Sequence, residues 1–518
     1  MLWYNVECKS EYTCFSYLKC NDLQRFKSSQ IVALFFYFSE KGGRLLEARV
    51  LYGRRVITTD ATEITDSNVV EVLKDAFNTH IVNRNEIDYL WKYYKGEQPI
   101  LGRTKDVRPE ICNKIVENRA NEIVSFKVGY LCGEPIQYVG RNGEDSVSTG
   151  VSQLNEMMFS ENKATQDKEV VEWQMICGTA YRLVLPDDIV DDDDAPFEMF
   201  TLDPRDSFIV YSNEVGNKPL LGVKYITDKL GNATFSIYSN NMFWKIKDDR
   251  IVQRKTHGLG MIPIFEYPAN NARQGAFEIV LPLLDELNNI ASNRMDGIEQ
   301  FIQSFIKFIN CDIDEESFKA LKEMGAIKVK SVDGANADVD VVATELNQGQ
   351  TQITKDDVYQ AILTICGMPN RNGGSSTSDT GAAVLLRDGW SLAEARAKDS
   401  ELMFKRAEQN VLKLILKICR ETVGVPAEVC ALRLKDIGLQ FTRRNYEAIQ
   451  SKSQVLVSML QQPKIHPRLA FESSGLFIDP ERAYSTSMEY YEEQLSRVPT
   501  TSENDDDSTD DDENVNKE

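Results

Sequence analysis

The spacing of hydrophobic and polar positions changes several times along the chain. Between residues 67 and 130 apolar positions recur every three or four residues, which predicts helices over 67–94 and 108–130. Ser67 precedes the first helix as its candidate N-cap. From 132 to 270 short alternating runs, bounded by turn residues, predict an antiparallel sheet region. The runs are PIQYVG, AYRLVL, SFIVYS, GVKYIT, TFSIYS, MFWKIK and PIFEYP.

Helical spacing returns after residue 276. One apolar stripe predicts a long helix over 277–309, and another predicts a helix over 380–419, about 60 Å long at 1.5 Å per residue. A shorter helix is expected over 352–366, and 443–495 has the pattern of a small helical module with a break at 465–467. Runs of strands followed by runs of helices indicate an α+β chain with more than one domain.

A small α/β unit is expected between the first two of these later helices, over 311–349. Asp312 and Glu315 have the spacing of a capping box, which predicts a short helix ending near Met324. Two alternating strands follow and are expected to pair through a turn. The strand positions are Ile327 and Val329, then Val339 and Val341, and the turn is Asp333 with Gly334.

The two ends of the chain differ from the rest. Residues 1–50 follow no clear period and hold three of the ten cysteines, so they form an atypical extension. Two interpretations are open: a non-native or poorly ordered segment, or a genuine N-terminal arm. Residues 501–518 contain nine acidic groups and one basic group, and we expect 500–518 to be disordered because they contain almost nothing to bury.

Composition narrows the class of protein. A hydrophobic fraction of 42% and a charged fraction of 27% are those of a soluble globular chain. The longest apolar run, 31–38, is far shorter than the roughly 20 residues of a membrane helix, and no signal-peptide pattern is present. The cysteines include no CxxC pair, which favours reduced thiols over disulfides or a zinc site.

The net charge is −21, of which the acidic end supplies only a part. Removing its nine acids and one base leaves 71 acids against 58 bases, so residues 1–500 carry −13. Tight, salt-sensitive DNA binding needs clustered Lys and Arg. The balance therefore argues against a protein that grips DNA, although it leaves open one that handles DNA.

Catalytic patterns are missing. The three histidines, His80, His257 and His466, are far apart, and each is expected to be a surface or packing residue. The acidic stretch 187–194 lacks EF-hand spacing and is predicted to be a solvated loop. We therefore predict no catalytic residue, no metal site and no cofactor.

A Gly/Ser-rich stretch, CGMPNRNGGSSTSDTGAA at 366–383, is the strongest enzymatic candidate. A phosphate-binding P-loop needs a lysine beside Ser or Thr, and none lies between Lys355 and Lys398. The preceding segment also has helical rather than strand spacing. A mobile polar loop between two helices fits better. A nucleotide-binding enzyme using 367–380, and a capsid or scaffold component, remain as alternatives.

The order of these parts resembles the portal proteins of SPP1-like tailed phages. The resemblance covers about 51–495 and is carried mainly by GYLCGEPIQY (129–138) and by a polar pattern in the helix after 277. That pattern is Asp285, Asn288, Ser292, Asn293 and Asp296. Further matching stretches are YYKGEQPILGR (93–103), NKIVENRANEIVSFKVGYLCGEPIQY (113–138), GMIPIFEYPAN (260–270), FEIVLPLLDELNNIASNRMDGIEQF (277–301) and the helix–loop–helix at 351–419.

The resemblance implies the portal fold. Its parts would be a β-rich wing (51–276) joined by a long wing helix and the segment after it (380–442), two stem helices (277–310 and 350–366), a clip (311–349), a tunnel loop (367–379) and a helical crown (443–499). The stem would carry the polar pattern above, and the clip the strand and turn residues of the α/β unit. The loop residues implied to contact DNA are Asn370, Arg371, Asn372, Gly373, Gly374, Ser375, Ser376, Thr377, Ser378 and Asp379.

The resemblance also implies a function without catalysis. Subunits would form a ring, expected to be a dodecamer, at one vertex of a phage head, and double-stranded DNA would be packaged and ejected through it. Terminase, head-completion or adaptor proteins, and the major capsid and scaffolding proteins would be its partners. The protein would be found in the virion, and in the host cytoplasm during assembly. No membrane partner is expected.

Overall fold

A computed structural model describes residues 47–141, 145–189, 194–302, 305–309, 311–312, 330–331, 338–342, 348–370, 389–443, 446–477 and 480–497. Helices and sheets are both extensive in these ranges, so the chain is α+β, as predicted. The predictions for 1–46, for most of 311–349, for 371–388 and for 500–518 lie outside the described residues. No described helix has the length and apolar content needed to cross a membrane.

The N-terminal part alternates helices with short strands. Its elements are β1 (Thr58–Thr59), α1 (Val69–Tyr94), a 3-10 turn (Pro99–Gly102), α2 (Arg119–Cys132), β2 (Gln137–Gly140), α3 (Asp145–Ser160) and α4 (Lys163–Cys177). The strands that follow are β3 (Thr179–Pro186), β4 (Phe197–Leu202), β5 (Ser207–Ser212), β6 (Pro219–Thr227), β7 (Ala233–Tyr238), β8 (Met242–Lys247), β9 (Arg250–Thr256) and β10 (Ile264–Pro268).

The C-terminal part is mostly helical. After a 3-10 turn (Glu278–Val280) come α5 (Leu281–Ile302), β11 (Phe305–Ile309), β12 (Cys311–Asp312), β13 (Lys330–Ser331), β14 (Asp338–Val342), α6 (Gln348–Cys366), α7 (Trp390–Glu421) and α8 (Ala427–Ala431). A 3-10 turn (Leu434–Asp436), β15 (Ile437–Gln440), α9 (Tyr446–Leu460), α10 (Pro467–Ser474) and α11 (Pro480–Arg497) complete it.

Two sheets form the β-rich region. One has the strand order β1-β5-β6-β7-β8-β9, antiparallel from β5 onward, and the other has the order β10-β3-β4. Alternate residues of the larger sheet, such as Phe235 and Ile237 on β7, pack against the apolar face of α1. On the opposite face, Ile209 of β5 packs against Ile264 of β10, so the smaller sheet covers this end of the larger one. The other end of the larger sheet, toward β9, is not covered by the smaller sheet.

All seven predicted strands are present, but the prediction is wrong in part for the rest of the region. The stretch 132–270 was expected to be sheet throughout, whereas α3 and α4 occupy 145–177. α4 escaped prediction because several of its polar residues, including Asp167 and Gln174, are buried and blur the apolar period. Two further strands, β4 and β9, were also not predicted.

Three predicted helix ends differ from the structure. Ser67 is not the N-cap: Asn68 precedes α1, and its side-chain oxygen accepts from the Thr65 N–H at 2.8 Å rather than from the helix. The second helix begins at Arg119 rather than 108, capped by the Asn118 side chain. The helix expected over 277–309 ends at Ile302. Residues 305–309 instead form β11, because β14 supplies a strand to pair with.

Other predictions agree with the structure. The helix expected over 352–366 spans 348–366, and the described part of the long helix runs from 390 to 421. The module after 443 is helical with a break, which lies at 461–466 rather than at 465–467, and it has a small core of Leu456, Ala470 and Phe471. Cys112, Cys132, Cys177, Cys366, Cys419 and Cys430 are free thiols.

His80 is a packing residue, as predicted. Its ring stacks on Phe208 with 4.4 Å between centroids, and Nε2 lies 3.0 Å from the Arg205 carbonyl oxygen. Burial lowers the pKa of His80 to about 3, against 6.5 for an unperturbed histidine. The folded protein therefore keeps this imidazole neutral at pH values where the unfolded chain protonates it.

This burial predicts an acid-dependent loss of stability. Because the folded pKa is depressed, the unfolded state binds the extra proton below pH 6.5, and stability falls as the pH drops from 6.5 toward 3. Between pH 7 and 4.5 the contribution is about 2–3 kcal/mol. We expect His80→Gln to show a correspondingly flatter pH dependence of urea unfolding. Identical slopes for the two proteins would contradict this, since all other titrating groups are shared.

Candidate functional site

The polar residues predicted for the stem lie along α5. Asn288, Ser292 and Asp296 are four residues apart, so they share one face of the helix, and each is 2% exposed or less. Buried polar side chains need hydrogen-bond partners. The hydrogen-bond partners of these side chains show the structural role of this face of α5.

The partners are backbone amides of an extended segment, 113–117, which runs antiparallel to α5. Every second N–H of this segment points to the helix and donates to a side chain there. The three bonds are Asn113 N to Asp296 Oδ1 at 2.7 Å, Ile115 N to Ser292 Oγ at 3.0 Å and Glu117 N to Asn288 Oδ1 at 2.8 Å.

The N–H groups and the side chains match because the repeat distances of the extended segment and of the helix are similar. Two residues of an extended chain advance about 6.7 Å, and four residues of a helix advance about 6 Å. A helix with polar side chains at i, i+4 and i+8 can therefore accept the N–H groups along one edge of a strand. We call this contact between 113–117 and α5 the polar seam. It explains why 108–118 is not helical despite its apolar spacing, since its amides are used elsewhere.

Basic side chains pair with Asp296, at the end of the polar seam that lies toward the C-terminus of α5. Arg103 Nη2 lies 3.1 Å from Asp296 Oδ2, and Lys105 pairs with the same carboxylate. Arg103 also donates to Asn293. Burial acts to raise the pKa of Asp296, but Lys105 and the Asn113 N–H bond lower it more, and the pKa is below its ordinary value.

At the other end, α5 binds α1 and the turn after it. Asn288 Nδ2 donates to Gln98 Oε1 at 2.6 Å, and the Tyr93 hydroxyl donates to Asp285 Oδ1 at 2.9 Å. Burial raises the pKa of Asp285, opposed by the Tyr93 hydrogen bond. All five predicted stem residues thus make hydrogen bonds that hold other segments of the same chain to α5.

The predicted tunnel loop begins on an anchored helix. Asn370 Nδ2 donates to Gln360 Oε1 of α6 at 2.7 Å. α6 is in turn fixed to α2, since the Tyr359 hydroxyl lies 3.1 Å from Glu122 Oε1 and the Arg119 guanidinium lies 4.4 Å from the Tyr359 ring centre. Of the ten predicted loop residues, Asn370 is described, and 371–379 lie outside the described residues.

The predicted clip is described only through short strands. β11 pairs antiparallel with β14, which places Val339 opposite Phe308 and Val341 opposite Ile306. β12 pairs with β13. Asp312 therefore lies in a strand, and the helix expected to follow it, together with Ile327, Val329, Asp333 and Gly334, falls outside the described residues.

A buried ion cluster, which was not predicted from the sequence, joins α7 to α4 and β3. Its members, Lys163, Asp167, Arg182 and Glu408, are at most 4% exposed. Arg182 reaches Asp167 Oδ1 at 2.6 Å and Glu408 Oε2 at 3.2 Å, and Lys163 reaches Glu408 Oε1 at 3.2 Å. Lys163 also pairs with Asp167. Two cations face two anions, so the cluster is neutral.

Two tyrosine hydroxyls complete the cluster by donating to Glu408, that of Tyr138 at 2.5 Å and that of Tyr267. Burial acts to raise the pKa of Glu408, but Lys163, Arg182 and the two hydroxyls hold it well below its ordinary value. A sequence signal was available, because Glu408 interrupts the apolar face formed by Phe404, Val411 and Ile415. A charge in such a position needs a buried partner.

Within the described residues, no group of three or more His, Cys, Asp or Glu side chains is placed to hold a metal ion. The histidines are well separated: His80 packs under the large sheet, and His466 caps α10 by accepting from the Arg468 N–H at 3.2 Å. In the described residues, the buried polar side chains of α5 and of the ion cluster join segments of the chain.

Comparison with known proteins gives a family match over most of the chain. The family described as "Phage portal protein, SPP1 Gp6-like" matches residues 73–498. A solved structure described as "Neck of empty GTA particle computed with C6 symmetry" is similar at a TM-score of 0.40 and 10% identity, covering 69% of this chain and 90% of that one. Curated protein sequences give no match. The match of the family over 73–498 shows that the chain belongs to the SPP1 Gp6-like family of phage portal proteins.

Proposed function

We propose that the chain is one subunit of a portal ring, a dodecamer, at one vertex of a phage head, through which double-stranded DNA is packaged and ejected. The family match over 73–498 carries this proposal. Terminase, head-completion or adaptor proteins, and the capsid and scaffolding proteins are its proposed partners. The ring would assemble in the host cytoplasm and remain in the virion.

The parts of the ring follow the order of elements along the chain. We assign 51–276 with 380–442 to the wing, α5 and α6 to the stem, 311–349 to the clip and 443–499 to the crown. The polar seam supports the stem assignment, because it makes α5 and 103–118 one rigid unit. A net charge of −13 for residues 1–500 supports a conduit that does not grip its cargo, since like charges repel DNA.

Electron microscopy of the purified protein tests the ring directly. We expect end-on views with twelvefold symmetry and a central channel. Particles that stay monomeric under all assembly conditions would contradict the proposal. Shells without a channel would favour a capsid or scaffold component, and binding of ATP that depends on Gly373 would favour a nucleotide-binding enzyme.

Deleting 371–379 should leave ring assembly intact and impair DNA packaging. The proposed reason is that the loop contacts the duplex, whereas the described helices on either side, held by contacts such as Asn370 with Gln360, do the assembling. Packaging in an assay with terminase and procapsids measures the effect.

A replacement of 371–379 by a Gly/Ser linker of equal length serves as the matched control for chain length. Packaging by the deletion variant at the wild-type level would count against a tunnel role. Arg371 is the only basic residue of the segment, so Arg371→Ala alone should have a small effect.

A further inference from the structure

The uncovered end of the large sheet carries a concentration of positive charge. Residues 242–256, which form β8, β9 and their turn, contain five bases and two acids, a local charge of 5 − 2 = +3 in a chain of −21. One of the acids, Asp249, pairs with Lys74 of α1 at 3.2 Å. We call the outward residues of the two strands the basic sheet face. They are Lys245, Lys247, Arg250 and Lys255, all exposed.

The strand register places these residues together. Lys247 is opposite Arg250, Lys245 is opposite Gln253, and their neighbours Trp244 and Ile246 point to the core. Lys245 and Lys247 are about 7 Å apart along the strand. No described carboxylate lies within ion-pair distance of Lys245, Arg250 or Lys255.

Protection of a sheet edge does not account for this face. Lysines on an edge strand prevent edge-to-edge aggregation. β9 is an edge strand, but Lys245 and Lys247 lie on β8, which is paired on both sides. Their charge is therefore directed outward from the sheet rather than along its open edge.

A complementary surface lies on the other sheet. β4 is an edge strand of the smaller sheet, and Glu198 and Phe200 share its exposed face. Asp187 is exposed nearby, and Glu161 accepts from the Met199 N–H of β4 at 2.9 Å. The Asp187 N–H donates to the Pro196 carbonyl oxygen at 3.0 Å, two residues before Glu198, so these acids lie in one region. Burial raises the pKa of Glu161, the Met199 N–H bond opposes this, and the charges of Glu198 and Asp187 raise it further. Glu161, Asp187 and Glu198 form what we call the acidic face.

We propose that the basic sheet face of one subunit docks on the acidic face of the next subunit in the ring. This inference rests on the proposed function, because it assigns the contact that a ring requires. A heterologous interface joins two different patches, and its repetition closes a ring. The two faces lie on the edge regions of different sheets, and their charges are opposite.

Apolar side chains accompany both faces. Val252 of β9 is 64% exposed beside the basic sheet face, and Phe200 (42%) and Phe159 (85%) are exposed beside the acidic face. Interfaces combine an apolar centre with a charged rim, and the charges set partner choice and register. A neighbouring subunit is favoured over DNA as the occupant, because it offers exposed apolar side chains as well as opposite charge, whereas a duplex meets these strands with its charged backbone.

Charge reversal tests the pairing in the full-length protein. We expect Lys245→Glu with Lys247→Glu to raise the protein concentration needed for ring formation at least ~10-fold, because like charges then face each other. Asp187→Lys with Glu198→Lys should have the same effect. The chain carrying all four substitutions should form rings again. Mass photometry across a range of concentrations and salt measures each variant.

The quadruple variant is the matched control, since it contains every substitution of the two doubles. Mixing the two doubles should also restore rings, because each supplies the face that the other needs. Rings from both doubles at wild-type concentrations, or no recovery in the quadruple variant and in the mixture, would overturn the inference. A variant with Lys245→Glu and Lys247→Glu that forms rings normally but no longer retards DNA in a gel would also overturn the inference. That result would assign the basic sheet face to nucleic acid. Absence of rings from the wild-type protein would instead contradict the proposed function.

Discussion

Glu408→Gln is expected to lower the free energy of unfolding by about 3–5 kcal/mol, the range for removing one partner of a buried ion pair. The substitution keeps the shape of the side chain, but it removes the charge and replaces one of the two acceptor oxygens with an NH2 group that faces donors. Among the described residues, it leaves Lys163 and Arg182 with Asp167 as their one buried counter-charge. Urea unfolding at fixed protein concentration, followed by tryptophan fluorescence, measures the loss as a lower midpoint.

Two comparisons separate charge from packing. Glu421→Gln, on the same helix, removes an exposed partner of Lys417 and should change stability by about 0.5 kcal/mol or less. Glu408→Gln combined with Lys163→Met restores neutrality, since Arg182 and Asp167 remain as a pair. We expect this double variant to be more stable than Glu408→Gln alone. A double variant that loses the sum of both single effects would contradict the argument.

The pH dependence has a defined sign. The folded pKa of Glu408 is depressed, so its contribution is present above the unfolded value, near 4.5, and is lost as the pH falls below it. His80 begins to act at higher pH, and its contribution changes from pH 6.5 down to about 3. The two windows overlap below pH 4.5, but only His80 contributes between 6.5 and 4.5, so Glu408→Gln should flatten the pH dependence only below about 4.5.

Local patterns were sufficient to predict elements whose partners are near in sequence. The strands from 207 to 247 were predicted because each alternates between a buried and an exposed face and pairs with its neighbour along the chain. The helix over 69–94 has one apolar stripe that packs on that sheet. In both cases the pattern of one segment contains the information about its contact.

Elements that depend on distant partners were not predictable in the same way. Ile111 and Ile115 are four residues apart, as in a helix, but the amide of Ile115 bonds to Ser292, 177 residues away. Phe305 continues the stripe of α5, yet it pairs with Val342 in a strand. A period in the sequence cannot distinguish these outcomes, because the deciding hydrogen bonds come from another part of the chain.

The site residues show the same division. The polar pattern of α5 was one of the two motifs that carried most of the resemblance to the family, and the structure gives it a physical role in the polar seam. The ion cluster required three elements, α4, β3 and α7, to meet, so Arg182 in an apolar strand and Glu408 in an apolar stripe were signals without a visible partner. The net charge did not reveal the basic sheet face, because a sum over the whole chain does not show where the charges lie.

Asp296→Ala is expected to release the segment 103–118 from α5. The substitution removes the acceptor of the buried Asn113 N–H and the counter-charge of Arg103 and Lys105. Leaving a buried donor unpaired costs about 1–3 kcal/mol, and the lost charge pairs add to it, so we expect about 2–4 kcal/mol. Asp296→Asn is the matched control, because its side-chain oxygen still accepts from the Asn113 N–H while the charge is absent. Its loss should be clearly smaller.

Hydrogen exchange with residue-level fragmentation distinguishes the polar seam from general packing. In the wild-type protein the amides of Asn113, Ile115 and Glu117 should exchange slowly, and those of Lys114 and Val116 should exchange fast, because they donate no hydrogen bond among the described residues. Asp296→Ala should raise exchange at 113 and 115 most. Uniform protection from 113 to 117 would show that burial alone shields the segment, and the side-chain ladder on α5 would then have no special role. An alternating pattern that weakens from 113 toward 117 in the variant is the result that the geometry requires.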